Sequence, residues 1–251
     1  MLNGIFLGIN SFFQSFAAIP KYGLWRYVFA SGLLSCAVGY GIFKFIWKQS
    51  DRLGDWLASF YKWERGSEFV ASASDWAIWI IMIVLCLILF KYIMLVLSAP
   101  IMSMVSEKIE VARTGGKPVP FSVSHTIQSL VRGLRIALRN ITKELFLTVL
   151  LLLFGLVPII GLASAVLIFL VQANYAGFGS CDFYMERHFS VKQSVRFIRK
   201  NRGIAIANGA IFLGLLAIPV VGFFLAPILS AIGATLAIHP KISPDAAPSF
   251  S

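Results

Sequence analysis

The sequence predicts an all-α integral membrane protein: two full transmembrane helices, two Pro/Gly-broken hemi-penetrating helical hairpins, and amphipathic interfacial helices. Three observations predict it. Hydrophobic residues make up 58% of the 251 and charged residues only 13%, where soluble domains carry roughly a quarter charged, so lipid must cover much of the surface. The later apolar runs are each split by a Pro-x-x-Gly. Lys and Arg gather in particular loops, which is how a multi-pass chain sets its orientation.

Residues 1–20 read as an amphipathic helix. Ile5, Ile9, Phe12, Phe13, Phe16 and Ile19 recur at threes and fours, while Asn3, Asn10, Ser11 and Gln14 fall mostly elsewhere. That stripe suits a helix lying in the membrane interface, or one packed on the protein's own spans. No Lys or Arg precedes Lys21, and a signal peptide needs a positive charge before its apolar core, so no cleavage is expected. Pro20-Lys21-Tyr22-Gly23 interrupts the helix.

The first span occupies 22–47. Tyr27 to Phe43 is free of charge, with Trp25 and Arg26 at one end and Lys44, Trp47 and Lys48 at the other, the interfacial positions that aromatic rings and cations favour. Residues 48–75 mix both signs. The second span runs over 76–105 and is interrupted by Lys91, which the length of the run lets snorkel from its cytoplasmic third.

Residues 106–143 are basic, and Gly115-Gly116-Lys117-Pro118 is a turn. The helix that follows carries Ile127, Leu130, Val131, Leu134, Leu138 and Ile141 on one side, with Arg132, Arg135 and Arg139 as a neighbouring stripe. Such a helix skims the membrane. The two broken runs come next, 144–172 around Pro158 and Gly161, and 204–238 around Pro219 and Gly222, with a second basic stretch (Arg187 to Arg202) between them. The single membrane domain covers 1–240, and the polar tail 241–251 is expected to be disordered.

Each broken run is either one kinked span or a hairpin returning to its own side, because a half-run is too short for a core that takes about 20 residues to cross. Both basic loops and the Lys21/Arg26 flank belong on the cytoplasmic side, with 48–75 outside. Two spans plus two hairpins satisfy every loop. The breaks read Pro-Ile-Ile-Gly and Pro-Val-Val-Gly, and Phe121-Ser122-Val123 and Phe189-Ser190-Val191 each open a basic stretch, which suggests a weak repeat of basic helix plus broken run, with convergent Pro/Gly turn chemistry as the alternative. Broken segments in paired positions are pointers to a transport site. Their tips call for packing within an oligomer, to which the small residues Ser35/Gly39 and Ala226/Ser230/Ala234 could contribute.

Other classes lose ground. Cys36, Cys86 and Cys181 are odd in number and scattered, so neither a disulfide framework nor a zinc site is suggested. His125, His188 and His239 form no ligand-spaced motif, and no phosphate loop follows a strand; no enzyme, metal or cofactor is expected. The net charge of +11 lies beside apolar segments, which points to topology and anionic lipid rather than nucleic acid.

Four stretches resemble the CysZ-type sulfate permeases, which share a domain with the etoposide-induced membrane proteins. They are Gly23-Leu24-Trp25-Arg26; Leu97-Ser98-Ala99-Pro100 with Val105 to Glu110; Val157 to Gly161; and Tyr175…Asp182-Phe183 with Ile218-Pro219…Ala226-Pro227 and Gly233-Ala234-Thr235. The resemblance implies two long spans, two hemi-penetrating hairpins, a homo-oligomer, and proton-sensitive sulfate uptake across the bacterial inner membrane; the charge pattern leads to the expectation that both termini are cytoplasmic. It also implies a substrate site at Gly23, Leu24 and Arg26, where helix-start N–H groups and a guanidinium suit a tetrahedral dianion. Trp25 stands where the family carries a further Arg, so one fork is missing. Glu107, Pro158, Gly161, Pro219 and Gly222 are candidates for gating or structural roles. A non-transporting membrane-organising or partner-binding protein of the same domain family is the alternative.

Overall fold

The computed structural model describes residues 1–60, 90–116, 122–155, 158–218 and 221–242, and every regular element among them is an α-helix. In chain order they are α1 (Leu2–Lys21), α2 (Trp25–Phe60), α3 (Phe90–Leu97), α4 (Ala99–Thr114), α5 (Val123–Gly155), α6 (Pro158–Met185), α7 (Val191–Lys200), α8 (Arg202–Leu216) and α9 (Val221–Ile242). Among the described residues, Leu2–Lys21, Trp25–Phe45, Ala163–Met185 and Phe224–Ile242 are long and apolar enough to cross a membrane. This is a multi-pass membrane protein.

α1 packs on α8 and α9, which realises the packed alternative for the N-terminal helix. Its buried face is Gly8, Ser11, Phe12, Ser15, Ala18 and Ile19, while Phe6, Ile9, Phe13 and Phe16 point outward. Lipid accommodates phenylalanine as readily as protein does, so small residues take the inner face, where helices must approach closely. α2 begins after a left-handed Gly23 (φ 59°) and continues past the expected boundary at 47 to Phe60.

The stretch expected as one span over 76–105 is described only from Phe90. There α3 and α4 meet at 59°, so the helix bends at Ser98-Ala99-Pro100 and does not run straight to 105. Pro100 lies in the first turn of α4, where a missing N–H costs nothing.

α5 joins what the sequence divides into a basic skimming helix and a hairpin arm. It carries its apolar stripe outward, with Val123, Ile127, Val131, Leu134 and Leu138 all exposed, and turns Arg132 inward. Arg132 thus faces protein, while Arg135 and Lys143 stay exposed with the apolar stripe. α5 then folds against α6, and α8 against α9, so the chain doubles back at both predicted breaks. Pro158 opens α6 and Gly161 continues it. A Cβ on Gly222 would lie 1.8 Å from the Leu215 carbonyl oxygen, which fixes glycine at the second turn; Pro219 lies outside the described residues.

Of the expected repeat the helix starts match, since α5 and α7 each follow the serine of a Phe-Ser-Val, but basic stretch and apolar arm form one helix in α5 and two in α7 and α8. Ser190 and Gln193 complete a capping box on α7. The two halves meet where α6 crosses α8. Ala173 and Gly177 face Ala205 and Gly209, and Cβ atoms built on Gly177 and Gly209 would fall 1.9 and 1.8 Å from the opposing carbonyl oxygens. Ala226, Ser230 and Ala234 are fully buried on α9, inside this chain rather than on an outer face. Of the tail, Lys241 and Ile242 finish α9.

Candidate functional site

The α1–α2 turn holds the predicted substrate residues together. Gly23 supplies the left-handed residue that lets the chain reverse. Leu24 is fully buried, with its N–H bonded to the Ile19 carbonyl at 2.9 Å, so it anchors the turn rather than contacting a ligand. Trp25 and Arg26 lie exposed at the start of α2, the positive end of its dipole.

A cation that sequence reasoning did not place here arrives from α4. Lys108 Nζ donates to the Gly23 carbonyl at 2.9 Å. Lys108 Nζ and Arg26 Cζ each lie 5.8 Å from the centroid of the Tyr27 ring, and Arg113 reaches the Tyr22 hydroxyl at 3.4 Å. The turn is thus ringed by basic groups of two elements about eighty residues apart. Glu107, one of the candidates for a gating or structural role, sits half-buried beside Lys108 on α4.

Behind the turn, α4, α6 and α9 bring their ends together in a polar core. Arg187 donates to Glu110 (2.9 and 3.0 Å), to Ser106 Oγ (2.9 Å) and to the Ser103 and Phe183 carbonyls. His188 Nε2 lies 2.8 Å from Glu110. Tyr184 and His239 share a hydrogen bond of 2.9 Å, and the second His239 nitrogen is buried without a partner. Next to it Arg132 grips Asp182 with two bonds of 2.8 Å and also holds the Phe189 carbonyl and Ser194 Oγ. Asp182 holds the Arg132 guanidinium above its ordinary range despite burial, which acts the other way. Burial, with Asp182 nearby, pushes the Glu186 carboxyl up.

A third cluster lies deeper. Lys91 Nζ is 2.6 Å from Glu144, each about 2–3% exposed, and the Tyr92 hydroxyl donates to the other carboxylate oxygen. The snorkelling reading of Lys91 is therefore corrected: its amine is paired inside the protein. Nothing in the local sequence announces a partner more than fifty positions away. Lower still, Asn208, Ser230 and Ser180 form a buried chain of hydrogen bonds at 2.7–2.9 Å between α8, α9 and α6.

Among the described residues no three His, Cys, Asp or Glu side chains are grouped as metal ligands. The arrangement is suited to attracting an anion at one end of the molecule and to holding the helices in register through buried polar contacts. A family model described as "Sulfate transporter CysZ/Etoposide-induced protein 2.4" matches residues 11–227, which takes in the turn, the first hairpin, the first arm and break of the second, and the polar core apart from His239.

Proposed function

The chain belongs to the sulfate transporter CysZ/etoposide-induced protein 2.4 family, and from that premise we propose that it is an inner-membrane permease or channel for sulfate or a related oxyanion. Membership supports a transporter-like function in general. The observation that carries the finer reading is Lys108, which brings a second cation to the Gly23–Arg26 turn although Trp25 occupies the position of the family's further arginine. Arg26 and Lys108 attract the dianion, and the α2 start supplies N–H donors. Since an ammonium is a point charge and not a planar fork, the site selects charge more than geometry.

Hairpins that enter the membrane and return fit the lengths of their first arms, although the second arms, Ala163–Met185 and Phe224–Ile242, are long enough to cross. α8 has 15 residues, a rise of about 22 Å, short of the ~30 Å hydrocarbon core. Past Lys143, the apolar end of α5 (145–155) rises only about 16 Å. In this reading the basic ends and both termini are cytoplasmic, the copies assemble as a homo-oligomer, and anionic lipid borders the basic helices.

Radiolabelled sulfate uptake into proteoliposomes tests the proposal. The protein should raise uptake above empty vesicles, Arg26→Ala and Lys108→Ala should each lower it by about tenfold, the scale of one charged contact, and Trp25→Arg should raise affinity. Uptake equal to that of empty vesicles defeats transport and selects the membrane-organising alternative, which the missing arginine favours.

A further inference from the structure

The two basic stretches of the repeat, so far unexplained as a pair, converge on one cavity away from the α1–α2 turn. A hollow of about 150 Å³ is lined by Arg139 and Lys143 of α5, Asn174 and Tyr175 of α6, Arg199 of α7 and Arg202 of α8. Two cations come from the first basic stretch and two from the second, and no Asp or Glu lines the hollow. Arg139 is half-buried and Lys143, Arg199 and Arg202 are exposed at the rim; among the described residues Lys91, Arg132 and Arg187 have carboxylate partners, while none of these four pairs with one.

Arg139 is the telling member. Its guanidinium packs over the Phe178 ring at 5.5 Å and spends one N–H on the Asn140 side chain at 2.8 Å, which leaves further donors of the fork for the hollow. Burial presses it below its ordinary range; nearby Tyr175 opposes this and Arg199 adds to it. Asn174 carries a buried amide oxygen with no hydrogen-bond partner, and turning the amide over presents N–H donors to the same space. Like charges held together around a partly desolvated hollow repel, and a multiply charged anion removes that repulsion while satisfying the donors.

We propose that the Arg139–Lys143–Arg199–Arg202 hollow is a second anion site, which binds a tetrahedral phosphate- or sulfate-class oxyanion between the two halves of the repeat. The same chemistry is offered by a free ion and by the phosphodiester of an anionic lipid. The site requires no transport through the chain.

The test uses the full chain in nanodiscs of neutral lipid, with sulfate and inorganic phosphate titrated calorimetrically and phosphatidylglycerol retention read by native mass spectrometry. Arg139→Gln with Arg199→Gln should weaken free-ion binding or lipid retention by at least about tenfold, given the worth of charge-assisted contacts, while Lys44→Gln, an exposed cation of α2 outside both sites, leaves that binding unchanged. Loss confined to sulfate and phosphate assigns the hollow to a free ion, and loss confined to phosphatidylglycerol assigns it to a headgroup. Lys143→Gln with Arg202→Gln, both exposed, repeats the measurement without touching the half-buried Arg139. If neither double variant changes sulfate, phosphate or lipid binding, the site does not exist. Flux without hollow-dependent binding removes this inference alone; hollow-dependent binding without flux removes transport alone.

Discussion

Replacing Gly209 by alanine probes the contact that joins the two halves. The added Cβ would sit 1.8 Å from the Ala173 carbonyl oxygen and 2.7 Å from both the Ala173 carbonyl carbon and the Gly177 nitrogen. Unstrained contacts lie near 3.5 Å, so α6 and α8 must part by roughly 1.5 Å. All three obstacles are backbone atoms and none can rotate away. Overpacking of this kind costs about 1–3 kcal/mol, whereas alanine gains up to about 1 kcal/mol of helix propensity over glycine. Gly214 on the same helix has nothing within 4 Å of a built Cβ, so Gly214→Ala gains the propensity without the clash. Comparing the two variants cancels propensity and leaves sterics, a gap of about 1–3 kcal/mol. Unfolding of the detergent-solubilised protein in mixed micelles of rising SDS fraction, followed by tryptophan fluorescence, reads that gap. Equal stability of Gly209→Ala and Gly214→Ala would refute the close crossing.

Lys91→Met leaves the Glu144 carboxylate buried with only the Tyr92 hydroxyl and should cost about 3–5 kcal/mol. Adding Glu144→Gln, which keeps an acceptor for Tyr92, should recover most of it, and a double variant as unstable as the single one argues against the pair. Glu186 gives a pH signature. Its folded pKa is raised, so the folded state holds the proton more tightly than the unfolded one, and stability rises as pH falls from that raised value toward about 4.3. Glu186→Gln should flatten this part of the stability–pH curve; an unchanged slope assigns it elsewhere.

Much of the architecture is legible because membranes restrict the choices. Proline removes a donor and glycine permits close return, so the two Pro-x-x-Gly signals mark where α5–α6 and α8–α9 double back. The capping serine of α7 is local chemistry, and Ser122 stands at the same offset before α5 in its own Phe-Ser-Val. What escapes is non-local. The periodicity of α1 identifies an apolar stripe without saying that lipid, rather than α8 and α9, receives Phe13 and Phe16. The 59° bend at Pro100 is invisible to hydropathy, because the residues on both sides remain apolar. At the candidate site Gly23 and Arg26 are readable as a motif, whereas Lys108 becomes part of it only when α4 folds across the turn. The anion hollow likewise needs α5, α7 and α8 together, although its cations stand in plain view as two basic stretches.

The Lys91–Glu144 pair also bears on how the chain is made. Its members are 53 positions apart, and a ribosome adding roughly 5–20 residues per second takes about 3–10 s to travel between them. Through that interval a lysine destined for the interior has emerged and its carboxylate has not. An unaccompanied charge is expensive in hydrocarbon, so the segment holding Lys91 stays at the aqueous edge or in the insertion machinery until α5 follows. The polypeptide then enters the bilayer in instalments set by charge neutralisation, with the first hairpin admitting the helix before it.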